Sequence, residues 1–119
     1  MSAVAAPILV VDDDPNILAT LTEILELEGH RVRTAANGRE ALDAIDREAP
    51  WLVLLDMRMP VLDGWGFARE LDGRKRPKIL VMTAAENAKR WADEIAADGY
   101  LAKPFELEAL LDAISRLRP

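Results

Sequence analysis

The sequence predicts an α/β fold, a doubly wound parallel sheet of five strands with helices on both faces. Three observations carry that expectation. Strand-like and helix-like segments alternate five times along the chain. Several strand-like runs are continuously apolar rather than alternating, the pattern of strands covered on both sides. The chain has 119 residues, which suits one compact domain with a sizeable core and no second domain.

Each element follows from its residues. Ile8-Leu9-Val10-Val11 is a short apolar run ending in acids and reads as a buried first strand. Asp14 can cap a helix and Pro15 suits its first position. Ile17, Leu18, Leu21, Ile24 and Leu25 then fall at helical spacing, and Gly29 is the expected stop. Residues 31–35 alternate weakly, as an edge strand would. Asn37-Gly38-Arg39-Glu40 resembles a capping arrangement for a helix with Ala41, Leu42, Ile45 and Ala49 on its narrow apolar face. Trp51-Leu52-Val53-Leu54-Leu55 is the strongest strand and ends in Asp56, with Trp51 expected to anchor the core near its start. Pro60 and Asp63-Gly64 mark a loop. A short helix is expected over 65–71, with Gly73 as its stop. A fourth strand is expected over 78–83, a helix over 87–97 and a short strand over 100–102. Pro104 is expected to open a last helix with Leu107, Leu110, Leu111, Ile114 and Leu117 on one face.

Composition narrows the function classes. Net charge is −6, which disfavours non-specific binding to nucleic acid or to an anionic membrane. The absence of Cys excludes disulfides and thiolate metal sites. The N-terminal residues lack the basic and apolar regions of a signal peptide, and no segment is long enough to span a membrane. A cytoplasmic single domain over residues 1–119 is expected, with 1–6 as a disordered tail.

In open α/β sheets, sites form beyond the carboxyl ends of the strands. The first strand ends in Asp12-Asp13-Asp14, the third in Asp56, the fourth in Thr83, and the fifth runs into Lys103-Pro104. Clustered carboxylates repel unless something cationic sits among them. Lys103 supplies one charge, and a hard divalent ion such as Mg²⁺ suits a site of few carboxylates, several waters and a phosphoryl ligand. An Asp carboxylate can act as a nucleophile and form an acyl phosphate. The metal, Lys103 and Thr83 would then neutralise its equatorial oxygens. Taken singly, each residue has a plainer role: Asp14 a cap, Asp63 a turn residue, Lys103 a solvated base. It is their placement at four separate strand ends that favours one shared site.

Over essentially its whole length the sequence resembles the response-regulator receiver family. The resemblance rests on residues 8–14, on Leu54-Leu55-Asp56-Met57-Arg58-Met59-Pro60 with Asp63-Gly64, on Val81-Met82-Thr83-Ala84, and on Gly99-Tyr100-Leu101-Ala102-Lys103-Pro104-Phe105. It implies the flavodoxin-like strand order 2-1-3-4-5. It implies a phosphorelay regulator that accepts a phosphoryl group on Asp56 from a histidine kinase or phosphotransfer protein, in a Mg²⁺-dependent reaction. Asp12, Asp13, Asp56 and the carbonyl of Arg58 would be the metal ligands. Thr83 and Lys103 would contact the phosphoryl group, with Thr83 and Tyr100 forming the switch and the Lys103–Pro104 bond cis. Such a domain catalyses only its own phosphorylation and dephosphorylation. It controls an output domain or partner protein, and the resemblance leaves a phosphorylation-dependent dimer open.

The sequence departs from the family pattern in three places. Ala96-Ala97 replaces the usual Gly-Ala, so the helix before the last strand is expected to lack its αL stop. Gly66 adds a second glycine expected to loosen the start of the third helix. Arg58 and Ala85 occupy two variable positions that tune dephosphorylation, and the long Arg58 side chain can cover the approach of water. Trp65 and Trp91 are expected to be partly buried, with exposure as partner anchors the alternative. His30 is left without a role, and Met57 and Met59 read as packing.

Three other functions compete. A haloacid-dehalogenase-type phosphotransferase also uses an Asp nucleophile, but wants a second acid where Arg58 stands. A flavodoxin-like cofactor binder would place phosphate where three acids repel it. A degenerate receiver acting only in docking is disfavoured by the full set of key residues.

Overall fold

The computed structural model describes residues 5–118. The expected alternation is present: β1 (Ile8–Val11), α1 (Pro15–Leu27), β2 (Val32–Ala35), α2 (Gly38–Arg47), β3 (Leu52–Asp56), α3 (Gly64–Glu70), β4 (Lys78–Ala84), α4 (Ala85–Glu94), β5 (Gly99–Lys103) and α5 (Leu107–Leu117). The strands form one sheet in the order β2-β1-β3-β4-β5, with every pairing parallel. Of the expected tail, residues 1–4 lie outside the described residues. Ala5 and Ala6 belong to no element, and the Arg31 guanidinium donates to the Ala5 carbonyl at 2.5 Å.

The period of two along each strand sorts the core into two layers. Leu9, Val11, Val53, Leu55, Ile79 and Val81 face α2, α3 and α4, where Leu42, Ile45, Phe67, Leu71 and Trp91 meet them. Ile8, Val10, Leu52, Leu54, Leu80 and Met82 face α1 and α5, where Leu21, Leu25, Leu110 and Ile114 meet them. Trp51 is half-buried against this second layer, at the amino end of β3.

The starts of α1 and α2 match the sequence closely. The Asp14 carboxylate accepts from the Asn16 N–H at 2.9 Å, and Pro15 is the first helical residue. Asn37 accepts from the Glu40 N–H at 2.9 Å, while Glu40 reaches back to the Ala36 N–H at 3.0 Å. This is a capping box displaced by one residue.

Three expectations need correction. The helix expected over 87–97 runs from Ala85 to Glu94 and does end in an αL stop, which Ala96 takes at φ 53°. The Ala96 N–H donates to the Asp93 carbonyl at 3.1 Å and the Ala97 N–H to Ala92 at 2.9 Å. This is the same Schellman pair that Gly29 and His30 make at the end of α1. Arg76 also donates to the carbonyls of Ile95 and Ala96. Hydrogen bonds therefore hold Ala96 where glycine would sit more comfortably.

Secondly, Gly66 does not loosen α3. It is buried, and a Cβ there would come within 2.4 Å of Leu62 Cδ1. The Leu62 carbonyl also accepts from the Gly38 N–H at 2.8 Å, so Leu62 pins the loop before α3 to the start of α2. Thirdly, Pro104 does not open the last helix. The Lys103–Pro104 bond is cis, and α5 begins at Leu107 after its N-cap, Glu106.

Candidate functional site

Register assembles the acids at the carboxyl edge of the sheet. Val11 pairs with Leu55, so Asp12 and Asp56 leave neighbouring strands at the same level. Asp56 pairs with Met82, and Ala84 pairs with Lys103. Among the described residues, Asp12, Asp13 and Asp56 form one group whose carboxylate oxygens lie within 4.8 Å of one another.

Each member of the group is held differently. Asp12 is almost fully buried, at 1% exposure. Its Oδ1 accepts from the Asp14 N–H at 2.9 Å and its Oδ2 from Lys103 Nζ at 3.0 Å. Both oxygens are therefore oriented by the protein. Asp13 is exposed at the rim. Asp56 is buried, at 8% exposure, with Lys103 Nζ 3.9 Å from its Oδ1. Burial pushes the Asp56 carboxyl up to about 6. The Asp12 and Asp13 charges push the same way, whereas Lys103 and the Arg58 backbone N–H pull it down. Three carboxylates against one ammonium leave an excess of negative charge, and the donors are all oxygen. That set fits a hard divalent cation keeping part of its water shell.

The remaining expected site residues are placed as follows. Thr83 is buried at the end of β4, one residue past the Asp56–Met82 pair. Tyr100 lies on β5 beside Val81 and is 47% exposed, turned outward. Arg58 keeps its backbone at the site, but its side chain runs to α4, with the guanidinium carbon 5.6 Å from the Trp91 ring centroid.

Sequence reasoning missed that contact. Trp91 is buried, at 8% exposure, so it is not an exposed anchor. Trp65 is half-buried and meets Trp91 edge-on at 4.9 Å and 71°, and its indole N–H donates to Glu94 Oε1 at 2.9 Å. Two Trp residues on neighbouring helices were the available signal, but only the packing of α3 against α4 pairs them.

The sequence profile of the response regulator receiver domain matches residues 8–115. The chain belongs to the response regulator receiver family. Receiver domains act in two-component phosphorelay signalling, which implies a kinase or phosphotransfer partner and an output. This receiver domain is 44% identical over 114 residues to the probable transcriptional regulator ycf27 of Porphyra purpurea, covering 92% of this chain and 47% of that protein. It is 35% identical over 115 residues to sporulation initiation phosphotransferase F of Bacillus subtilis (strain 168), covering 94% and 93%. It superposes on the response regulator protein TrrA from Thermotoga maritima, solved in complex with Mg(2+)-BeF, with a TM-score of 0.84 and 36% identity over 95% of this receiver domain and 99% of that chain. The chain spans about half the length of the first curated relatives it matches, 48% in one case.

Proposed function

We propose that Asp56 is the phosphoacceptor of this receiver domain and that Asp12, Asp13, Asp56 and the Arg58 carbonyl hold Mg²⁺. The observation that carries the reading is the buried Asp56 carboxylate, within metal-sharing distance of Asp12 and Asp13 and 3.9 Å from the Lys103 ammonium. A bound Mg²⁺ would neutralise charge on the phosphoryl oxygens.

The chain's own residues do the rest. Asp56, held on the last residue of β3, presents an oxygen to the phosphorus of a phosphohistidine. The Oδ–P bond forms as the N–P bond breaks, and the imidazole leaves with the electron pair. Lys103 and the Thr83 hydroxyl receive the equatorial oxygens. The pair Lys103–Asp12 fixes the ammonium beside Asp56 before any phosphoryl group arrives, so little reorganisation is needed. The domain catalyses only this transfer and its own dephosphorylation. Its partners are a histidine kinase or phosphotransfer protein on one side and an output domain or target protein on the other, in the cytoplasm. Among the described residues no helix is long and apolar enough to cross a membrane.

Acetyl phosphate with Mg²⁺ should label the parent chain, and Asp56→Asn should abolish the label with the fold intact by circular dichroism. Stable labelling of the Asn variant at parental stoichiometry would overturn the assignment.

A further inference from the structure

Arg58 sits two residues beyond Asp56, yet its side chain runs away from that carboxylate to α4. The guanidinium lies instead over Trp91, 5.6 Å from the ring centroid. That ring is braced from two helices. Trp65 on α3 meets it edge-on at 4.9 Å, and Trp65 is itself tied to Glu94 on α4 through its indole N–H at 2.9 Å. Among aromatic side chains, the Trp face is the strongest seat for a cation. Here the ring is buried, at 8% exposure, and packed against Trp65 of α3.

We propose that Trp91 is a positioning residue that seats the Arg58 guanidinium at the seam of α3 and α4 and so leaves the acyl phosphate on Asp56 open to water. The inference rests on Asp56 being the phosphoacceptor. Hydrolysis of that group needs a water oxygen to attack phosphorus in line. The O–P bond forms, the P–Oδ bond breaks with its electron pair returning to the Asp56 carboxylate, and the water proton passes to solvent. Arg58, two residues past Asp56 on an exposed stretch, is long enough to obstruct that approach, and Ala85, the first residue of α4, carries no polar side chain. A guanidinium paired with phosphoryl oxygens would both neutralise them and cover the path. Two seats then compete for one cation: the Trp91 ring and the phosphoryl group. The ring sets the lifetime of the phospho-form by how firmly it holds Arg58 away.

The test is the half-life of the acetyl-phosphate-labelled full chain in Mg²⁺, followed by loss of label. Trp91→Leu should lengthen the half-life several-fold, and Trp91→Phe, which keeps a weaker ring in place, should fall between. In an Arg58→Ala background the Trp91 substitutions should change nothing, because the residue they release is gone. A merely structural role for Trp91 would shift the half-life equally in both backgrounds. That result, or a half-life unchanged or shortened in both Trp91 variants with Arg58 present, would overturn the inference. Trp91→Phe serves alone if Trp91→Leu fails to fold by circular dichroism. Absence of label on Asp56 in the parent would instead remove the phosphoacceptor reading itself, and this inference with it.

Discussion

Asp56 carries a cost that the metal-free domain meets by itself. Its folded pKa of about 6 lies above the ordinary value of 3.8, so the folded state binds this proton more tightly than the unfolded chain does. Stability from this group is then fully present below pH 3.8 and is lost as pH rises through about 6. The loss is at most about 3 kcal/mol, at 1.36 kcal/mol for each unit of pKa. Asp56→Asn removes the titration while keeping size and shape, and Lys103 retains its 3.0 Å partner Asp12. In chelator the Asn variant should exceed the parent in stability by about 1–3 kcal/mol at pH 7.5. The gap should narrow as pH falls towards 4. Urea unfolding at both pH values measures this, and an equal gap at both would show that Asp56 is not the group responsible. Adding Mg²⁺ should also narrow the gap at pH 7.5, because the folded parent keeps all four proposed ligands, binds the ion more tightly than the Asn variant and is stabilised more by it. The acids themselves were legible in the sequence, because strand ends and carboxylates are both local features. The seat of Arg58 on Trp91 was not, because a long side chain can run either way from an exposed loop and only α4 decides which.

At the scale of elements, the ends of α1 and α4 make the same pair of backbone hydrogen bonds with different residues. Gly29 adopts φ 90° at one and Ala96 φ 53° at the other. A Cβ in the left-handed region costs roughly 1–2 kcal/mol, and Gly returns part of that through a freer unfolded chain. Ala96→Gly should therefore stabilise the domain by about 0.5–1 kcal/mol, since Ala96 is exposed and loses no packing. A thermal melt raised by a few degrees is the expected result, and a lowered one would mean that the methyl group has a contact worth keeping. The end of α4 was misread because the sequence offers no glycine there. Propensity speaks against an αL residue at Ala96, and only the two backbone bonds and Arg76 hold it there. Gly66 was misread for the complementary reason. Glycine suggests freedom until a neighbour, here Leu62, is seen to occupy the space of its missing side chain.

Across the whole molecule, the fold was legible because continuous apolar strands and amphipathic helices leave a parallel sheet few ways to bury both faces. The order of the strands came from family resemblance, since periodicity alone does not rank neighbours. That order places Asp56 on the central strand β3 and Thr83 and Tyr100 on β4 and β5, the two strands between Asp56 and the sheet edge. A phosphoryl group adds charge near −2 and strong acceptor oxygens at Asp56. Thr83, buried one residue past the strand pair of Asp56, should be drawn towards it. Its movement would open space on the α4 side of the sheet, and Tyr100, 47% exposed in this structure, could turn inward to fill it. The inward state should exist beforehand at low population, and phosphorylation should shift the balance. Moving from about 1% to about 99% takes roughly 5.5 kcal/mol of differential binding, within reach of several charge-assisted hydrogen bonds. Beryllofluoride with Mg²⁺ should mimic the phosphoryl group. Amide spectra should then change most at Thr83, along residues 85–91 and at Tyr100, with the Tyr100 ring becoming protected from solvent. Changes confined to Asp12, Asp13 and Asp56, with Tyr100 still exposed, would send the signal out through a surface other than α4 and β5.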